Sequence, residues 1–215
     1  MARKRVVGFS LGGAILTAAC LSYYYRRAGR DEQNRFLQLL DATPGEQIGE
    51  VGAGHGDFML LAAARVGPNG RVYANELDPK RAGELRTKAA KQKLAEIHVI
   101  EGAEDSTRFP DNCCDTIYLR GVYHHFTKPA AVDASILRAL RPGGRLIVVD
   151  FPPRLLLKPW TPKGIPANRG GHGIPQKILI DEITDAGFRL DHVEAHWPNG
   201  FYCVVFRKRA AAMVA

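Results

Sequence analysis

Residues Ile48 to Phe58 constrain this 215-residue chain more than any other stretch: Ile-Gly-Glu-Val-Gly-Ala-Gly-His-Gly-Asp-Phe. An apolar strand ends beside an acidic residue, Glu50, passes through glycines at 52, 54 and 56, and enters an apolar helix. Glycines at that spacing let the main chain turn sharply and approach a ligand with no Cβ in the way. A strand, a glycine turn and a helix open a βαβ unit, and in open α/β sheets ligands bind at the carboxyl ends of the strands. The dinucleotide fingerprint G-x-G-x-x-G needs glycine at 57, where this chain has Asp57. A nicotinamide-dependent oxidoreductase is therefore disfavoured.

The remaining segments continue the alternation. Short β-branched runs at 46–51, 70–76, 96–100, 115–119 and 145–150 read as strands, and patterns at 57–66, 79–94 and 130–140 read as the helices between them. A helix over 176–186 ends at Gly187, and strands at 189–195 and 201–207 form an antiparallel pair across Pro198-Asn199-Gly200. Near-continuous apolar strands imply a sheet buried on both faces, and right-handed crossovers make it doubly wound. Glu76 closes the second strand, where Rossmann-like folds keep the acid that accepts hydrogen bonds from ribose hydroxyls. Asp78 and Pro79 read as the N-cap and first position of the following helix.

The order Glu50-x-Gly52-x-Gly54-x-Gly56 resembles motif I of the class I S-adenosylmethionine-dependent methyltransferases. Glu76, Gly102-Ala103-Glu104, Phe109 to Leu119 and Leu140 to Asp150 follow in that family's order, so the resemblance covers roughly Arg30 to Lys208. It implies a mostly parallel seven-stranded Rossmann-like sheet and S-adenosyl-L-methionine as cofactor. On this resemblance the cofactor is held by Glu50, Gly52, Ala53, Gly54 and Gly56 of the turn, by Glu76, by Ala103 and Glu104 in the adenine loop, and by Arg120. Many family members carry Gly-Asp-Ala where this chain has Gly102-Ala103-Glu104. The loop after the fourth strand lies beside the methyl donor, which makes Tyr123, His124 and His125 the candidates for substrate contact or proton removal, His124 first. The Asn-Pro-Pro-Tyr of amine- and amide-methylating relatives is absent there. The segment 151–175 is too long for a mere connection and reads as the substrate loop. Within it His172, next to glycine in a Gly-His pair similar to one in related methyltransferases, is a secondary candidate.

The formal net charge of +8 collects in Arg3-Lys4-Arg5, in Arg26, Arg27 and Arg30, and at Arg207-Lys208-Arg209. No strand interleaves basic and aromatic positions, so nucleic acid is not the expected partner. Between the first two clusters, residues 6–25 carry no charge and match the ~20 residues that span a bilayer. Tyr23, Tyr24 and Tyr25 would sit at the interface. The division is therefore an anchor at 1–29 and a catalytic domain at 30–215, a single-pass membrane protein whose domain faces the cytoplasm or an organelle matrix. Gly8 and Gly12 form a G-x-x-x-G that permits dimerisation through the anchor. A cleaved secretory signal, with Thr17-Ala18-Ala19-Cys20 as its cleavage region, and an organelle-targeting segment stay open. Cys20, Cys113, Cys114 and Cys203 lack zinc-type spacing and fit free thiols. No metal site is expected. The function expected is methyl transfer to a small-molecule or lipid-like acceptor at a membrane; the alternative is a non-catalytic methyltransferase-like subunit of a membrane complex.

Overall fold

A computed structural model describes residues 27–92 and 96–210. The expected anchor at 6–25, and with it the dimerisation motif and Cys20, lies outside the described residues. Among the described residues no helix is long and apolar enough to cross a membrane.

A helix over 27–40 (α1) leads into β1 (Gln47–Val51), α2 (Asp57–Val66), β2 (Arg71–Glu76), α3 (Pro79–Ala90) and β3 (Glu96–Glu101). There follow β4 (Cys114–Arg120), α4 (Pro129–Ala139), β5 (Leu140–Asp150), α5 (Gln176–Asp185), β6 (Arg189–Glu194) and β7 (Tyr202–Arg207). The strands form one seven-stranded sheet in the order β3-β2-β1-β4-β5-β7-β6. β1 to β5 pair in parallel, and β7 runs antiparallel between β5 and β6. The order reverses between β1 and β4, which places a switch point at the carboxyl end of β1.

Alternate residues of the central strands supply two cores. Val51, Ile117, Leu119, Leu146, Val148, Val204 and Phe206 face α4 and α5, where Val132, Ile136, Leu179 and Ile183 cover them. Ile48, Tyr118, Ile147, Val149, Cys203 and Val205 face α1 and α2, where Phe36, Leu40, Met59 and Val66 cover them. Both faces are buried, which is why these strands read as unbroken apolar runs.

The expected elements occur with shifted bounds. α3 ends at Ala90 rather than 94, and β5 starts at Leu140 rather than 145. β5 carries the Pro142-Gly143-Gly144 turn, with a register shift against Cys114 and Thr116 of β4. Asp78 caps α3, its Oδ1 accepting from Lys80 N at 2.8 Å and Arg81 N at 3.2 Å. Beyond the anchor helix, the sequence predicts no helix before the first strand; α1 crosses the expected boundary at 29/30 and packs against the sheet. The Phe36 ring meets Phe58 and Tyr118 edge-on at 4.9 and 4.7 Å.

Candidate active site

A cleft of about 450 Å³ opens at the switch point, over the carboxyl ends of β1, β2 and β4. Its floor is the glycine turn. Gly52 turns at φ 73°, and a Cβ there would lie 2.6 Å from Val122. Gly52 N donates to Asn75 Oδ1 at 2.8 Å, and Gly54 N to Glu76 Oε2 at 2.9 Å. Glu76 Oε1 accepts from Leu77 N at 2.9 Å and Asp78 N at 3.2 Å, so main-chain donors fix the carboxylate at the cleft edge. Gly54 also lines the cleft, at φ 53°, and a Cβ on it would meet only Gly52 O, at 4.0 Å.

Not every glycine-turn residue faces the ligand side. Gly56 is the N-cap of α2 at φ 75°, and a Cβ there would lie 2.5 Å from Leu85 Cδ2. Gly56 and the buried Ala53 lie behind the cleft lining: Gly56 permits close helix packing, and Ala53 N is held by Asn75 O at 2.9 Å. Glu50 likewise lies beneath the cleft. Burial pushes its carboxyl up to about 8 despite the neighbouring Tyr118 hydroxyl and Arg120 guanidinium, so it is mainly protonated at neutral pH.

Ala103 and Glu104 line the cleft as expected of an adenine loop. The sequence reading missed Asn75, which braces both walls: its Oδ1 receives Gly52 N, and its Nδ2 donates to Thr107 O at 3.3 Å. Gly102 approaches so closely that a Cβ would lie 2.6 Å from Asn75 Nδ2. An asparagine one residue before the strand-end acid was the available signal.

Arg120 borders the cleft, but its guanidinium is committed elsewhere. Nε and Nη2 donate to the buried Glu32 of α1 at 2.7 Å each, and the group stacks over Phe58 and Phe201 at 5.1 and 5.4 Å. In this arrangement it fastens α1 to the sheet while still bordering the cleft.

After β4 the chain makes a short helical turn at Tyr123–His125. Tyr123 is fully buried, donates to Asp133 Oδ2 at 2.7 Å, and has its hydroxyl pKa raised by burial. Its hydroxyl is thus turned into the core toward α4 rather than into the cleft. His124 is buried too: its ring Nδ1 lies 2.8 Å from Asp150 Oδ1 and its main-chain N donates to Asp150 Oδ2 at 3.1 Å. His125 does line the cleft. Burial, then the adjacent His124 and His172, holds its imidazole below the usual histidine range, so it is uncharged at neutral pH.

The segment 151–175 is closed at its base, where Ile174 N donates to Phe151 O at 2.9 Å. Arg154 N donates to His172 O at 3.1 Å, placing the His172 ring 4.9 Å from that of His124. Arg169 pins the segment from below. It is fully buried, donating to Tyr123 O at 2.8 Å and Glu182 Oε2 at 2.6 Å. Leu156 and Trp160 stand exposed on the outside, 87% and 67% accessible.

A mostly parallel doubly wound sheet with a carboxylate and a glycine turn at its switch point defines a nucleoside-cofactor-binding α/β protein. Residues 49–148 match the family described as a methyltransferase domain. The chain is 30% identical over 169 residues to the protein-L-isoaspartate O-methyltransferase of Aeropyrum pernix, covering 76% of this chain and 61% of the relative. It is 28% identical over 116 residues to the ubiquinone/menaquinone biosynthesis C-methyltransferase of Stutzerimonas stutzeri, covering 54% of this chain and 45% of the relative. The chain thus spans less than two thirds of these relatives' length. In fold it is similar to the crystal structure of a SAM-dependent methyltransferase from Aquifex aeolicus, at TM-score 0.65 and 22% identity, covering 81% of this chain and 87% of that one. The match at 49–148, these relatives and the fold support a class I S-adenosylmethionine-dependent methyltransferase, with S-adenosylmethionine as its cofactor.

Proposed function

We propose that this chain transfers a methyl group to a small-molecule or lipid-like acceptor at a membrane. The carrying observation is the cleft itself: Glu76 is fixed by three main-chain donors, one of them Gly54 N of the glycine turn that lines the cleft. These residues fit the cofactor. Glu76 retains lone pairs for ribose hydroxyls, and Ala103 and Glu104 stand where the adenine would lie. S-adenosylmethionine supplies, when bound, a methyl group already activated on a sulfonium. The chain's task is then to position an acceptor and exclude water. His125, at the cleft wall, is the side chain placed to contact that acceptor. The lipid-like class is supported by the uncharged run at 6–25 and by Leu156 and Trp160, exposed on the segment that follows β5.

Comparative mass spectrometry of lipids and small metabolites from cells with and without the chain tests this. The expected change is accumulation of one compound lighter by a single methyl group, restored by the wild-type chain. Wild-type protein that binds the cofactor while cells lacking it show no such compound would contradict the acceptor class.

A further inference from the structure

We propose that His124, His125 and His172 form a binding site for one divalent transition-metal ion of the zinc class, beside the cofactor cleft. One ring nitrogen from each histidine lies within 4.8 Å of the others, although His172 is far from the other two in sequence. Three imidazoles suit zinc, copper, iron or nickel rather than magnesium or calcium. The ring centroids stand 4.1, 4.9 and 5.6 Å apart.

Two of the three rings carry the kind of hydrogen bond that stands behind metal ligands. The Asp150 carboxylate already accepts main-chain N–H from His124 at 3.1 Å and from Phe151 at 2.8 Å, and it faces His124 Nδ1 at 2.8 Å. An acceptor there requires the proton on Nδ1 and leaves the lone pair on Nε2. The Trp160 carbonyl does the same to His172 Nδ1 at 3.0 Å. A carboxylate or carbonyl on the outer nitrogen is how proteins orient metal-binding histidines. His124 is 2% exposed, and its Nε2 has no hydrogen-bond partner among the described residues. A buried lone pair without a donor is costly, and an ion would satisfy it. Tetrahedral zinc at ~2.0–2.1 Å from each nitrogen needs nitrogens roughly 3.4 Å apart, so the rings need to draw together by at most roughly 1.4 Å.

Three protein ligands leave a fourth position open, the pattern of a catalytic rather than a structural zinc. His125 also lines the cleft, so the site borders it. On the methyl-transfer reading above, the open position would take an acceptor hydroxyl or thiol and lower its pKa. The proton leaves to water; the oxygen or sulfur lone pair forms the new bond to the methyl carbon as the carbon–sulfonium bond breaks, its electron pair remaining on the cofactor's sulfur.

Metal binding is tested without reference to turnover. Full-length protein stripped by a chelator is titrated with zinc by calorimetry and with cobalt by visible absorption. One ion per chain is expected. His172→Ala should weaken zinc by about tenfold or more, and Asp150→Asn by about 10–100-fold, while S-adenosylmethionine affinity of His172→Ala stays at the wild-type value. His98→Ala should leave zinc binding intact. No saturable one-to-one binding, or undiminished zinc affinity in His172→Ala, overturns the site. His172 lies on a surface segment, so its variant remains decisive even if His124→Ala fails to fold. Loss of zinc binding with retained cofactor binding would separate this proposal from the methyl-transfer reading.

Discussion

At the scale of single residues, the ligand-facing and packing roles divide within one motif. Gly52 and Gly54 face the cleft, whereas Gly56 admits Leu85 and Glu50 is sealed below. Glu50 carries the clearest pH consequence. Its folded pKa of about 8 lies above the ordinary 4.5, so between those values the folded state holds a proton that the unfolded state has released. Stability is therefore undiminished by this group below about pH 4.5 and falls as pH rises toward 8. Glu50→Gln keeps the neutral form at every pH. In cofactor-free protein its stability advantage over wild type should be near zero at pH 4.5 and grow to the order of a few kcal/mol by pH 8. Urea titrations across that range check this; a gap that does not change with pH would show that the buried carboxyl is not protonated.

At the scale of elements, two fastenings position the cleft. Gly56 lets α2 start against α3. Gly56→Ala must adopt φ 75° and displace Leu85, which should cost about 1–3 kcal/mol, read as a lower urea midpoint with unchanged slope. A variant as stable as wild type would mean that α2 and α3 are less tightly packed than described. Arg120 holds α1 through Glu32, which also accepts from Asn199 Nδ2 at 3.0 Å. Arg120→Ala leaves Glu32 buried without its cation, but the guanidinium is about a third exposed, so the loss should be about 2 kcal/mol, below the range for a fully buried pair. Restoration of stability in the double variant Glu32→Gln, Arg120→Ala would confirm that the unpaired carboxylate is the cause.

For the whole molecule, what was legible in the sequence is what is local. The strands announced themselves because both sheet faces are buried, and the glycine turn because a strand, three glycines and a helix are contiguous. α1 escaped notice because its buried face is only a few side chains, chiefly Phe36 and Leu40, after a more conspicuous uncharged run. The insertion of β7 between β5 and β6 is a long-range pairing with no local signature. The same is true of the site. Glu76 and the glycines are near in sequence, but Asp150, His172 and the buried pair Arg169–Glu182 come together only through the sheet and the loop 151–175. Composition likewise says that the histidines exist, not that they converge.

The central claim is that the cleft at the β1/β4 switch point is an S-adenosylmethionine site. Calorimetric titration of the wild-type chain with S-adenosylmethionine, with its demethylated product and with NAD tests it most directly. One-to-one binding of the first two and none of the third is expected. Glu76→Ala should lose about 1.5–3 kcal/mol of affinity for both ligands, the range for hydrogen bonds to a charged group. Wild-type protein that ignores S-adenosylmethionine, or prefers NAD, would contradict it.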